Sequence, residues 1–477
     1  MSGSGGPGHS PQASVERALA AARCDDCVVI AEETSSANLR WAGNTLTTNG
    51  VSQSRRLTVI AVRRQGDQAA AGVVSRSGVR GDQIEEVVRA AEKAAEQSSP
   101  AEDAQPLLEP GRAGAFAPGG AGQRWDGPVS RTEIGVFGDF TPVLGQAFEA
   151  AAGRGQKLYG YAEHDLSCAF LGTSTGLRLR HDQPSGKVEL NAKTADLAHS
   201  AWAGTGSRDF TDVNVTAMDA GLAQRLGWAS RRVELPAGRY ETLLPPGGMA
   251  DLLTYMYWSA GARDALDGRT VFSRPGGGTR VGEQLASLPV TMRSDPAAPG
   301  LECAPFVIAH ASGRDSSVFD NALALRPTDW IRDGKLAALL QTRHSARLSG
   351  LPVTPAIDNL IFESAADGAP TLDEMVAGTR RGLLLTCLWY IREVDPQTLL
   401  LTGLTRDGVY LVENGEVSGE VNNFRFNESP VGMLRRLAEV GRSEPALPRE
   451  WGDYFTRVAM PPARIEGFNM SSVSQAS

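Results

Sequence analysis

From residue 233 onward the apolar residues fall in short runs, at 240–244, 290–292, 306–310, 329–331, 336–341, 360–362, 383–391, 399–403 and 409–412. Runs of that length, broken by turn-forming residues, favour strands over helices. Glu413-Asn-Gly415 stands just before 416–421, and Asn-Gly supplies the two positive φ angles of a tight hairpin turn. Two helices interrupt the pattern. One places Met249, Leu252, Leu253, Met256, Tyr257 and Ala260 on a single face. The other is expected over 430–440. A largely antiparallel β unit with a few helices is therefore predicted for 233–470, followed by a tail at 471–477.

The first half reads differently. A Gly-, Ser- and Pro-rich segment at 1–13 predicts a disordered tail. A helix is expected at 15–22, then strands at 27–31, 35–41, 57–62 and 70–74, with Asn44 to Gly50 as turn. Over 82–97, Ile84, Val87, Val88, Ala91, Ala94 and Ala95 share one face at 3.6 spacing. Asp82 is the candidate N-cap, and Glu85 with Arg89 is a favourable i,i+4 pair. Residues 14–99 thus predict an N-terminal α+β unit. The Pro-, Gly- and Ala-rich stretch 100–128 reads as a linker. A middle α+β unit over 129–232 follows, with helices at 142–153 and 215–231. Its strands are expected at 158–163, 168–171, 177–181 and 187–193, the last two separated by Asp182-Gln-Pro-Ser-Gly186 as a hairpin turn. The fold class is α+β.

Composition excludes several functions. The chain has 477 residues and a net charge of −8, so it is a poor default nucleic-acid binder, since phosphate binding needs a basic surface. No apolar run reaches the length of a membrane-spanning helix. The first twenty residues carry neither a basic nor an apolar signal region, so a cytoplasmic location is expected. Five cysteines make no disulfide framework. Cys24 and Cys27 form a C-x-x-C pair, but no second pair completes a zinc site.

Catalytic motifs are scarce. The six histidines, His9, His164, His181, His199, His310 and His344, include no paired spacing of the H-E-x-x-H kind. His164 and Cys168 are four apart in a segment that reads as strand. Gly172-Thr-Ser-Thr-Gly176 matches the string of a hydrolase nucleophile elbow, but both flanks read as strands, so a plain turn is expected. Gly276-Gly-Gly-Thr-Arg-Val-Gly282 lacks the Lys and Ser/Thr of a phosphate-binding loop.

Taken in order, several segments resemble the TldD/PmbA family of zinc-peptidase subunits. Arg40-Trp-Ala-Gly-Asn-Thr-Leu-Thr-Thr-Asn-Gly-Val51 is similar to the family's early strand and turn, and the helix at 82–97 follows as it does there. Trp330-Ile-Arg-Asp-Gly-Lys-Leu, continuing through Gln341-Thr-Arg-His-Ser-Ala-Arg347 to Pro352, resembles a family signature. Gly408-Val-Tyr-Leu-Val-Glu-Asn-Gly-Glu416 resembles its terminal hairpin, and 433–441 its closing helix. The likeness spans roughly 14–470. It implies one of two kinds of subunit: a TldD kind with H-E-x-x-x-H on a helix, whose histidines hold zinc and whose glutamate activates water, or a PmbA/TldE partner kind without it. On the helix at 249–260, Thr254, Tyr255 and Ser259 stand where the first histidine, the glutamate and the second histidine would be. The stretch 465–470 has no cysteine to serve as a further ligand. The resemblance therefore implies a non-catalytic subunit with no metal of its own, pairing with a zinc-bearing TldD-type chain that acts on peptides or unfolded polypeptides. Trimming of modified peptides during maturation is a further implied role. Arg343, His344, Asn422 and Asn423 are the candidate substrate-lining residues. The alternatives are an enzyme with a divergent site using His164, His181 or His310, and a non-enzymatic regulatory or binding protein.

Overall fold

The structure, a computed structural model, describes residues 10–111, 124–365, 368–455 and 457–474. Residues 1–9 and 475–477 of the expected tails, and 112–123 of the expected linker, lie outside it. The chain has the mixed α+β architecture its sequence predicts, with helices on largely antiparallel sheets.

Three sheets organise it. The first is built from β1 (Asp26–Trp41), β2 (Leu46–Gln65), β3 (Gln68–Ser77), β4 (Gln156–Thr173), β5 (Arg178–Thr194) and β6 (Ser200–Ser207), in the order β3-β2-β1-β4-β5-β6 and antiparallel throughout. The units expected at 14–99 and 129–232 therefore share one sheet, joined where β1 pairs with β4 from Val28↔Thr173 to Trp41↔Gly160. The segment between them divides the chain without dividing the sheet.

Period-2 alternation assigns the faces of this sheet. On β1, Cys27, Val29 and Ala31 pack with α1 (Pro11–Ala21) and α2 (Ile84–Gln97), while Ala37, Leu39 and Trp41 pack with α3 (Phe140–Gly153) and α4 (Val215–Trp228). All six are odd-numbered, so four helices cover one face in two pairs. The even-numbered Val28 and Ile30 meet Phe306, Val318 and Phe319 of the C-terminal unit on the other face. Between the helix pairs lies buried Glu33, held by Arg55 at 2.9 Å and Arg131 at 2.6 Å.

Several expectations are corrected here. Helix α1 begins at Pro11, inside the segment expected as tail, because Ser10 accepts from the Ala13 N–H and Pro11 fits the first turn. Strands expected at 27–31 and 35–41 are one strand of 16 residues, and Asn49-Gly50 lies within the 20-residue β2. The turn falls earlier, at Gly43 and Asn44, both with positive φ. Residues 182–186 form no hairpin but continue β5, where Pro184 sits opposite Leu166. β6 pairs only with 186–193, so Pro184 stands on a free edge where its missing N–H costs no ladder bond. Asp82 caps nothing; it lies in the 3-10 turn Gly81–Gln83 that precedes α2.

The C-terminal unit holds the other two sheets. One contains Val290–Ser294, Thr328–Arg332, Lys335–Leu336, Leu360–Ser364, Glu444–Ala446 and Val458–Met460. The larger contains Gly238–Leu244, Arg381–Leu385, Leu388–Asp395, Leu400–Thr405, Val409–Glu413, Glu416–Val421, Phe424–Glu428 and Ala463–Val473. Asn414 and Gly415 both have positive φ, as the hairpin signal requires. The expected strand at 306–310 is reduced to a single bridge, Phe306↔Ala324. The one at 336–341 shrinks to Lys335–Leu336, and the one at 383–391 splits in two. The expected helix at 430–440 is only Pro430–Leu434. Leu437–Val440 instead pairs with the last strand, because cross-strand burial of Leu437 and Val440 against the core outweighs local preference. That last strand runs to Val473, into the expected tail at 471–477.

Candidate functional site

Helix α5 (Pro246–Trp258) is the element on which the family likeness places its metal chemistry. It starts at a Pro-Pro-Gly-Gly sequence, with Pro246 in the first turn where no N–H is needed. The helix is apolar nearly all round. Met249, Leu252, Leu253, Met256 and Tyr257 lie in one core with residues of both C-terminal sheets, such as Met292 and Phe362 of one and Leu385 and Phe426 of the other. Its outer side is covered by aromatic residues: Tyr255 packs on Trp451 at 5.4 Å, and Trp258 on Trp451 at 5.6 Å and Phe455 at 6.0 Å.

The three positions of interest fit that packing rather than a metal. Thr254 is 0% exposed and its Oγ1 has no hydrogen-bond partner among the described residues. Tyr255 is part of the aromatic cover, and burial raises its phenol pKa. The Ser259 hydroxyl donates to the Tyr255 carbonyl at 2.9 Å. Zinc needs imidazole, thiolate or carboxylate donors, and these three side chains offer none. Among the described residues no group of three or more His, Cys, Asp or Glu gathers to hold a metal ion. One carboxylate does lie on α5: Asp251, 1% exposed, accepts the Glu450 N–H at 2.9 Å, and burial pushes its pKa well up. Its burial was not legible in the sequence, because only the 449–451 turn folding over α5 encloses it.

The candidate substrate-lining residues separate into two places. Arg343 and His344 open the short helix Arg343–Ser349, capped by Thr342, whose Oγ1 accepts the Ser345 N–H. Thr342 lines a cavity of about 350 Å³ with Phe306, His310, Asp315, Asp320 and Asp358. Arg343 turns its donors to Asp320 and to the carbonyls of Pro106 and Phe319. His344 Nε2 lies 3.2 Å from Arg263 Nη1, and its Nδ1 is buried without a partner among the described residues. Asn422 and Asn423 line a different cavity, of about 280 Å³, with His199, Arg406, Asp407 and Glu420. Asn422 accepts the Leu235 N–H at 2.7 Å, and Asn423 Oδ1 lies 3.5 Å from Thr405 Oγ1. The two cavities share no lining residue.

The histidines of the divergent-site alternative do not converge either. His164 bridges the Thr132 hydroxyl and the Arg208 carbonyl, each at 2.7 Å, and burial lowers its pKa. His181 pairs with Gln183 at 2.9 Å, and desolvation lowers its pKa too. His310 lies 3.3 Å from Thr58 Oγ1 and 3.4 Å from Glu32. Ser174 of the Gly172–Gly176 turn accepts the Cys27 N–H between two strands, so no nucleophile elbow forms. In the same cavity as His310, Asp315 is pushed up to about 6, chiefly by burial, and its Oδ1 has no partner among the described residues. Nothing in the local sequence marks it, since the enclosing groups are distant along the chain.

Comparison with known proteins completes the picture. Residues 237–472 match the PmbA/TldA metallopeptidase C-terminal domain. No curated protein matches the chain. Among solved structures, TldE from Thermococcus kodakarensis is similar over 95% of this chain and 98% of that one, with a TM-score of 0.76 at 15% identity. A protein described as a modulator of a DNA gyrase, from Thermotoga maritima, is similar over 93% and 95%, with a TM-score of 0.73 at 15% identity. A similarly described protein from Bacteroides thetaiotaomicron covers 97% and 98%, with a TM-score of 0.73 at 14% identity. At these identities the structures speak for the fold, and the C-terminal domain match speaks for descent: the chain is a metallopeptidase-related member of the TldD/PmbA/TldE family.

Proposed function

We propose that this chain is the non-catalytic, TldE-like subunit of a two-chain zinc peptidase. Its partner would be a TldD-type chain bearing H-E-x-x-x-H, which would hold the zinc and activate water for peptide-bond attack. This chain would wall the chamber that admits peptides or unfolded polypeptides, including modified peptides being trimmed to maturity. The observation that carries the reading is the state of α5. Thr254 is sealed in the core, Tyr255 is stacked on Trp451, and Ser259 is bonded to the helix's own backbone. A reducing compartment such as the cytoplasm suits the five cysteines, all of them free thiols. No described helix is long and apolar enough to cross a membrane.

A tagged pull-down from the native host, with mass spectrometry of what co-purifies, tests this. The expected result is a chain of similar size bearing H-E-x-x-x-H at a ratio near one to one. Protein that purifies alone, binds stoichiometric zinc and cleaves peptides overturns it. A gel shift at low salt is expected to show no retardation of DNA, in line with the net charge of −8.

A further inference from the structure

Arginines buried or half-buried in this fold are commonly matched to carboxylates: Arg180 to Asp182, Arg343 to Asp320, Arg436 to Glu428 and Arg464 to Glu439. Arg225, in the last turn of α4, is not. Among the described residues it has no acidic partner, and its one hydrogen bond is from Nη1 to the Trp202 carbonyl at 2.5 Å. Burial lowers its pKa, yet the side chain is not sealed off, because it lines a cavity of about 440 Å³ between α4 and the C-terminal unit. A desolvated guanidinium without a counter-charge is costly, and a carboxylate meeting its forked donors is the natural compensation.

The rest of the cavity narrows the ligand. Trp228, Leu372, Val376 and Val417 pack on a small core of Leu243, Leu384 and Tyr410 but remain only partly buried, leaving an apolar wall. The Trp228 ring is held edge-on to Tyr410 at 5.0 Å. Two exposed carboxylates, Asp373 and Glu416, also line the cavity, neither within ion-pair distance of Arg225. They disfavour a ligand with several negative charges. A volume of about 440 Å³ lies within the usual range for small-molecule sites.

We propose that this cavity binds a molecule or chain end carrying one carboxylate beside an apolar side chain, with Arg225 taking the carboxylate and the Trp228–Val417 wall the side chain. The ligand is a free apolar amino acid or the C-terminal residue of a short peptide; its ammonium or amide end is left toward Asp373 and Glu416. The site stands whether or not a zinc-bearing partner is found.

Isothermal titration of the full chain with leucine, the dipeptide Leu-Leu and leucinamide tests it. Leucine or the dipeptide should bind saturably, and leucinamide, which lacks the carboxylate, about tenfold more weakly or less, as loss of a charge-assisted contact predicts. Binding of leucine alone identifies a free amino acid as the ligand, and binding of the dipeptide alone a chain terminus. Arg225→Gln should reduce carboxylate binding to the leucinamide level. Val417→Trp, which fills the cavity and keeps Arg225, should block both ligands in a chain whose circular dichroism is unchanged. Leucinamide binding as well as leucine, Val417→Trp binding normally, or no binding of either carboxylate ligand at millimolar concentration overturns the proposal.

Discussion

Arg343 holds Asp320 through two donors, its backbone N–H at 2.9 Å from Oδ2 and its Nε at 2.7 Å from Oδ1. Asp320 is almost fully enclosed, at 2% exposed. The same guanidinium reaches back to Pro106, tying the segment after α2 to the C-terminal unit. Arg343 was a candidate for lining a substrate chamber, and its donors are committed to architecture instead. Replacing it with Ala leaves a buried carboxylate unpaired, so Arg343→Ala is expected to lose about 3 kcal/mol in urea unfolding. Arg343→Lys should restore only part, since a point charge cannot serve three acceptors in the same geometry. An Ala variant as stable as the parent would return Arg343 to the list of substrate contacts.

Thr254 gives the opposite expectation. Its hydroxyl is buried with no partner among the described residues, which leaves the desolvation of that oxygen uncompensated by them. Thr254→Val keeps the shape and removes the polar atom, and should stabilise the chain by about 1 kcal/mol. Chemical denaturation measures this directly. A loss of stability would mean that Thr254 has a partner, and a loss of assembled peptidase activity at full stability would give it a functional role.

Gly72 on β3 sits against α2 so closely that a Cβ there would lie 2.1 Å from the Ala95 nitrogen and 2.2 Å from the Ala91 carbonyl oxygen. Backbone atoms cannot swing aside as a side chain can. Gly72→Ala should therefore push α2 off the sheet and cost about 3 kcal/mol or more. The readout is the unfolding midpoint together with amide exchange in α2, which should accelerate.

Acid should weaken the fold through His164 and His181, whose pKa values burial lowers. In the unfolded chain a histidine takes up a proton near pH about 6.5. In the folded chain these two resist it, so the unfolded state binds more protons below that point. Stability is whole above pH about 6.5 and falls as the pH drops from there toward the depressed folded values. Asp315, raised to about 6, acts in the opposite sense, losing stability as the pH climbs from its unfolded range through 6. Melting temperatures at pH 7.5 and 5.5 for the parent and His164→Gln separate the two. The variant should lose less on acidification than the parent, and equal losses would remove His164 from the account.

What the sequence determined by itself was local. The face of α2, the Asn414-Gly415 turn and the short apolar runs of the C-terminal unit all follow from the period of apolar residues and from backbone preference. That Thr254, Tyr255 and Ser259, on α5 and at its cap, carry no zinc-type donor was legible too, since hydroxyl side chains are unsuited to zinc in any conformation. Tertiary structure decided the rest. Asp182 to Gly186 reads as a turn, yet it continues a strand because β4 offers it a partner and its other edge is free. Residues 437–440 read as helix and became strand because the last strand buries them. Two units that read as separate share one sheet through β1 and β4. Arg225 and Asp315 drew no notice in the sequence, because the burial of a charge depends on groups far away in the chain, and only the folded packing brings those groups near.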